Sequence, residues 1–204
     1  MIDRTHLCGT CLTTAALVAL AGCSATPPAK LYALTPIAPP ATAPAAWAST
    51  PAAIDIARVR LPEYLDREEI VWRSGQNEIH LDDNHHWAER PSVALTRVLA
   101  IDLSILTGRD ARVLADETGH GPRLLLTIDL QRFEIAADGS AVLVGRWAAS
   151  DAGAAERARG TLAFRQPVAA SDTKPDAAAE VVALNRCLAD AAAAISQGLA
   201  RAQL

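Results

Sequence analysis

Three of the four cysteines, Cys8, Cys11 and Cys23, fall within the first 23 residues, and only Cys187 lies beyond them. A disulfide scaffold needs cysteines spread through the part that folds, so this chain must be held together by its own core. The opening segment explains the crowding. A short polar start with Arg4 leads into an apolar stretch from Leu7 to Ala21, about 15 residues. That is the length of a secretory hydrophobic region and falls short of the ~20 residues a membrane-spanning helix needs. It ends in Leu20-Ala21-Gly22-Cys23, the pattern of a bacterial lipobox, in which small residues let a peptidase cut just ahead of a cysteine bearing a diacylglyceryl group. Residues 1–22 read as a lipoprotein signal peptide and residues 23–30 as a lipidated tether. Each buried CH₂ of an acyl chain adds about 0.8 kcal/mol, so two or three palmitate-like chains on Cys23 make a lasting membrane anchor. Cys187 follows Leu184 in a helical pattern and reads as a small buried hydrophobe.

Half of the 204 residues are hydrophobic, but 44 are alanine, which favours helix and contributes little burial. The net charge of −4, without a dense basic block, excludes a nucleic-acid binder, which needs a basic footprint for phosphates. Between Leu31 and Ile54 no residue is charged, yet Pro36, Pro39, Pro40, Pro44 and Pro51 rule out a transmembrane helix there. This Pro/Ala-rich stretch reads as extended tether and loop, with Leu31 to Thr35 as a short strand opening a domain of residues 31–204.

Beyond it the patterns become regular. Ile54 to Leu61, Ile70 to Arg73 and Glu78 to Leu81 read as strands, the last two joined by the turn residues Ser74-Gly75-Gln76-Asn77. Apolar residues at threes and fours from Ala88 to Leu106 predict an amphipathic helix stopped by Gly108. Leu124, Leu126, Ile128 and Leu130 alternate as in a strand, and the parity change at Phe133 and Ile135 predicts a bulge near Arg132. Asp138-Gly139 is a hairpin turn into Ala141 to Ala149, and Gly160 to Val168 completes a meander. A closing helix from Pro175 to Ala202 has the apolar stripe Val181, Leu184, Leu188, Ala191, Ile195 and Leu199. Strands, helix, strands, helix with hairpin-length connections predict an α+β fold: a mostly antiparallel sheet with two helices packed on one face.

The sequence carries no recognisable catalytic signature: no nucleophile elbow, P-loop, dinucleotide fingerprint or H-E-x-x-H. The run His80-Leu81-Asp82-Asp83-Asn84-His85-His86 offers imidazole and carboxylate donors, but turns are rich in these residues for local reasons. It reads as a solvated loop, with no metal assigned. Arg58, Arg60, Arg67, Arg73, Arg90 and Arg97 give residues 54–97 a local basic accent, suited to solubility or to lipid headgroups and acidic partners. Trp72, Trp87 and Trp147, with Tyr64, make up most of the bulky aromatics after Cys23 and read first as core.

One stretch says more than its composition. Leu61-Pro62-Glu63-Tyr64-Leu65-Asp66-Arg67-Glu68-Glu69-Ile70-Val71-Trp72-Arg73, then Asn77-Glu78-Ile79, then Trp87-Ala88-Glu89 resembles the ABC-type transport auxiliary lipoprotein family, whose pattern runs V-x-L-P-x-Y-L-D-R-x-x-I-V-x-R, N-x-I and R-W-A-E. His86 stands where that family carries a basic residue ahead of Trp87. The resemblance implies an outer-membrane lipoprotein on the periplasmic face, acting as an adaptor for an MCE-type protein and its ABC permease in lipid or hydrophobic-substrate transport. It implies no enzyme and no cofactor beyond the covalent lipid on Cys23, and it allows a homo-oligomer. Ser24, rather than Asp, after the cysteine resembles the arrangement of lipoproteins sorted to the outer membrane. Tyr64, Leu65, Asp66 and Arg67 then stand either at a partner interface or in a structural turn in which Asp66 pairs with Arg67. An outer-membrane assembly or structural lipoprotein unrelated to transport is the alternative function.

Overall fold

A computed structural model describes residues 28–37, 53–114, 123–151, 155–169 and 176–204. Cys23, the expected signal peptide of residues 1–22, most of the Pro-rich stretch and Pro175 lie outside the described residues. Among the described residues ten elements follow one another: β1 (Lys30–Tyr32), β2 (Ala53–Ile56), β3 (Glu69–Arg73), β4 (Ile79–Trp87), α1 (Pro91–Thr107), β5 (Ala111–Val113), β6 (Arg123–Ile135), β7 (Ser140–Ser150), β8 (Glu156–Pro167) and α2 (Ala177–Arg201).

The long strand β6 organises the sheet. Along one edge it pairs with β7, which pairs with β8, both antiparallel. Along the other edge it takes β2 beside its first residues and β3 at its end, both parallel, so the sheet forks there into β2–β5 and β3–β4–β1 branches. The long pairings are the antiparallel ones that hairpin signals foretell. The short parallel additions make the sheet mixed, because they arise from crossovers that leave no local turn signature. One core unites the inner sheet face, through Leu124, Leu126, Ile128 and Leu130, with Leu95, Leu99 and Leu103 of α1 and Leu184, Leu188 and Ile195 of α2.

Local chemistry sets the boundaries. Register slips between Leu130 and Arg132, so Gln131 is the extra residue that lets both Leu130 and Phe133 face inward. Gly139 takes φ 76°, and its N–H donates to Ala136 C=O at 2.8 Å. α1 begins at Pro91 rather than at Ala88: Arg90 is held extended at ψ 132° by the following proline. Gly108, left-handed at φ 65°, ends it. β2 leaves the sheet after Ile56 and returns only at an Arg60–Asp129 bridge. β4 runs on to Trp87, so the His80–His86 run is strand rather than loop. Pairing of its last residues with β1 holds it extended.

Trp147 shows how tightly sheet and helix close. Its ring fills the space that side chains at Gly160 of β8 and Gly198 of α2 would occupy; a Cβ on Gly160 would stand 2.7 Å from Nε1.

Candidate functional site

The residues that carry the family-like motif converge where β1, β3, β4, β6 and the start of α1 meet. In the turn before β3, Pro62 C=O accepts from Leu65 N–H at 2.9 Å and Asp66 N–H at 3.2 Å, and Leu65 is buried in the interior. Asp66 turns toward α1, where its carboxylate accepts from Ser92 N–H at 2.9 Å and from Ser92 Oγ–H at 3.0 Å. Arg90, at the cap position, supplies no side-chain cap, so Asp66 caps the helix from another part of the chain. The expected Asp66–Arg67 pair is therefore replaced. Arg67 forms a two-pronged pair with Glu69, at 2.7 and 3.0 Å, and holds the Glu69 carboxyl down to about 2.

Tyr64 leads into a second cluster. Its hydroxyl donates to Glu134 Oε2 at 3.4 Å and accepts from Arg73 Nη2 at 3.1 Å. Glu134 is fully enclosed and also takes Arg73 Nε at 2.6 Å and Arg132 Nε at 2.7 Å. Two guanidiniums and a phenol thus satisfy one buried carboxylate. Burial, then the Glu134 charge, raises the Tyr64 hydroxyl above its usual range. Glu134 was not visible as a partner from sequence. Its only signal was a carboxylate inside an apolar strand, just past the parity change.

Trp87, Ala88 and Glu89 tie down the beginning of the domain. Trp87 N–H donates to Glu68 C=O, Ala88 N–H donates to Tyr32 C=O at 2.7 Å, and the Trp87 ring sits buried beside Phe133. Arg97 pairs with Glu89 and also donates to Leu34 C=O at 3.2 Å. Leu34 is buried, and Asn185 of α2 both accepts from Thr35 N–H and donates to Thr35 Oγ1, each at 3.2 Å. Tyr32, Leu34 and Thr35 are thereby fastened to the sheet, to α1 and to α2.

The histidine-rich strand is internally engaged. Asp82 accepts from Asn84 N–H and His85 N–H and meets His85 Nδ1 at 2.7 Å, and His80 stacks on Trp72 with centroids 4.2 Å apart. Among the described residues no three His, Cys, Asp or Glu side chains are arranged to hold a metal ion. Arg60, Arg67, Arg73 and Arg97 of the basic accent each face a carboxylate. Cys187 is fully buried, and burial pushes its thiol up to about 11. Among the described residues no helix is long and apolar enough to cross a membrane.

A family model described as "ABC-type transport auxiliary lipoprotein component" matches residues 32–196. Two crystal structures share the fold, each with a TM-score of 0.66. One, of an uncharacterized protein, is 19% identical and aligns over 83% of this chain and 97% of its own. The other, protein XCC0632 from Xanthomonas campestris, assigned to DUF330, is 20% identical and aligns over 84% and 94%. No protein with a curated description matches the chain.

Proposed function

The chain belongs to the ABC-type transport auxiliary lipoprotein family, and from that premise we propose that it is an adaptor anchored by a lipid on Cys23 to the periplasmic face of the outer membrane. In this reading it joins an MCE-type protein and its inner-membrane ABC permease, and serves the passage of lipids or other hydrophobic substrates between the two membranes. The observation that supports it is the fastening of Tyr32, Leu34 and Thr35 to the sheet and both helices. An anchor just before Lys30 would then hold the whole domain near the membrane as one body. The motif residues act as joints between elements, which suits a part whose task is to hold a rigid surface in place.

Crosslinking in living cells, followed by purification of the tagged protein from detergent, tests the reading. Recovery of an MCE protein supports it; recovery of outer-membrane assembly factors alone would sink it in favour of an assembly role. A Cys23→Ser variant should leave the membrane fraction, and its retention there would contradict the anchor.

A further inference from the structure

On the face of the sheet turned away from the helices, arginines gather beside an open edge. Among the described residues β8 pairs only with β7, so one side of a 12-residue strand has no partner strand. The β6–β7 turn fixes which backbone groups lie there. Ala136 N–H donates to Ser140 C=O, so Ser140 and every second residue after it turn their backbone groups to β6. Ala141, Leu143, Gly145, Trp147 and Ala149 then face β8, engaging Gln166, Phe164, Leu162, Gly160 and Ala158. The backbone groups of Arg157, Arg159, Thr161, Ala163 and Arg165 are left pointing out of the edge, and all five residues are exposed.

Two hollows flank this edge at the same level. On the open face, one of about 640 Å³ is floored by Thr127, Ala148 and Thr161 and walled by Arg60, Arg146 and Arg159. Those three side chains are each about two-thirds exposed or more, and among the described residues they pair with Asp129 and Glu156. On the helix side, one of about 500 Å³ lies against Trp147, Ala158, Gly160, Ala194, Gly198 and Ala202, with Arg159, Thr161 and Arg201 also lining it.

We propose that β8 takes an extended segment of a protein partner as an added strand, with acidic side chains alternating with apolar ones. Strand addition satisfies the free backbone groups, and the two-residue period sends successive side chains to opposite faces. Carboxylates then meet Arg60, Arg146 and Arg159, and apolar side chains enter the hollow beside Trp147. All but two of the 19 basic residues are arginine, the side chain suited to paired hydrogen bonds with carboxylates. A second copy is the poorer occupant. The two-fold pairings that overlap most of the strand, centred on Thr161 or Leu162, set Arg165 against Arg157 or Arg159, and like charges directly opposite repel. A lipid surface would leave the strand edge unused. The surface is separate from the motif joints, and its test does not pass through the transport reading.

The test titrates the full-length protein in detergent with a fluorescent 11-residue peptide alternating Val and Glu, with a Val–Lys peptide and a scrambled peptide as controls. The expected result is saturable binding of the Val–Glu peptide alone, weakened by salt, with slowed hydrogen exchange at Arg157, Arg159, Thr161, Ala163 and Arg165. Arg146→Glu with Arg159→Glu should weaken it at least tenfold. Thr161→Pro, which removes an outward N–H, should abolish it while the circular dichroism spectrum is kept. No binding, equal binding of the Val–Lys peptide, protection at amides outside β8, or a dimer that protects these amides without peptide would each overturn the proposal. If Thr161→Pro fails to fold, the paired arginine variant still decides.

Discussion

Asp66 sits on the start of a helix that begins 25 residues further along the chain, its two carboxylate oxygens taking the backbone N–H and the hydroxyl of Ser92. The contact ties the turn before β3 to α1 and makes a motif residue a fastening between elements.

Asp66→Ala should destabilise the protein by about 1–2 kcal/mol, the usual range for losing a helix N-cap, and Asp66→Asn by less. Urea unfolding followed by circular dichroism measures both.

Glu134 should be far less replaceable than its exposed neighbours. Glu134→Ala leaves Arg73 and Arg132 without their enclosed carboxylate, though both guanidiniums keep some exposure to water. Removing one partner of a fully buried pair destabilises by about 3–5 kcal/mol, and the loss here should fall at or below the low end of that range. Arg67→Ala, which breaks only a partly exposed pair with Glu69, should change stability by less than about 1 kcal/mol. Thermal melts of the two variants side by side check the contrast.

Glu180 and Glu69 predict opposite responses to pH. Burial, then the nearby Asp82 and Asp176 charges, raises the Glu180 carboxyl, with His85 acting the other way. Its folded value lies above its unfolded one, so its contribution is full at acid pH and is lost as pH rises through the raised value. Glu180→Gln should therefore stabilise the protein at pH 7, with the gain vanishing by about pH 4. Glu69 is depressed to about 2, so its small contribution is present above the unfolded value of about 4.3 and fades as pH falls toward 2. Chemical denaturation across pH 3 to 8 measures both signs.

Gly198→Ala should be among the most damaging single-methyl additions, because the new Cβ would collide with the Trp147 ring. Overpacking of this kind destabilises by about 1–3 kcal/mol. The near-ultraviolet circular dichroism of the tryptophans should change with it, whereas Gly75→Ala, with open space around it, should leave that signal intact.

Cys187 should resist alkylation in the native state. Its thiol is enclosed and pushed up to about 11, and the thiolate is the reactive form. Iodoacetamide should modify it only once urea has unfolded the chain, as mass spectrometry of a Cys23→Ser background would show.

The periodic parts of the chain were legible residue by residue. The stripe from Val181 to Leu199 is buried as its spacing requires, Gly108 ends α1, and the bulge falls beside Arg132 where apolar parity breaks. The joints were not legible. Asp66 and Arg67 are adjacent and oppositely charged, yet each has a better-placed partner, and nothing local marks Ser92 or Glu134 as belonging to the Tyr64–Arg67 turn. The end of the His80–His86 run was misplaced for a related reason: its polarity suits a loop, but pairing of His85 and His86 with β1 continues the strand.

By itself the sequence determined what short-range physics controls: alternation and helical period, glycine and proline stops, and the Leu-Ala-Gly-Cys pattern that ends at Cys23. Tertiary structure alone decided how the sheet forks, which charges meet and which strand edge lacks a partner among the described residues. Parallel pairings, a cap supplied from a distant turn and a carboxylate shared by two arginines are matters of position in space, and side-chain identity does not specify them until the core has brought the elements together.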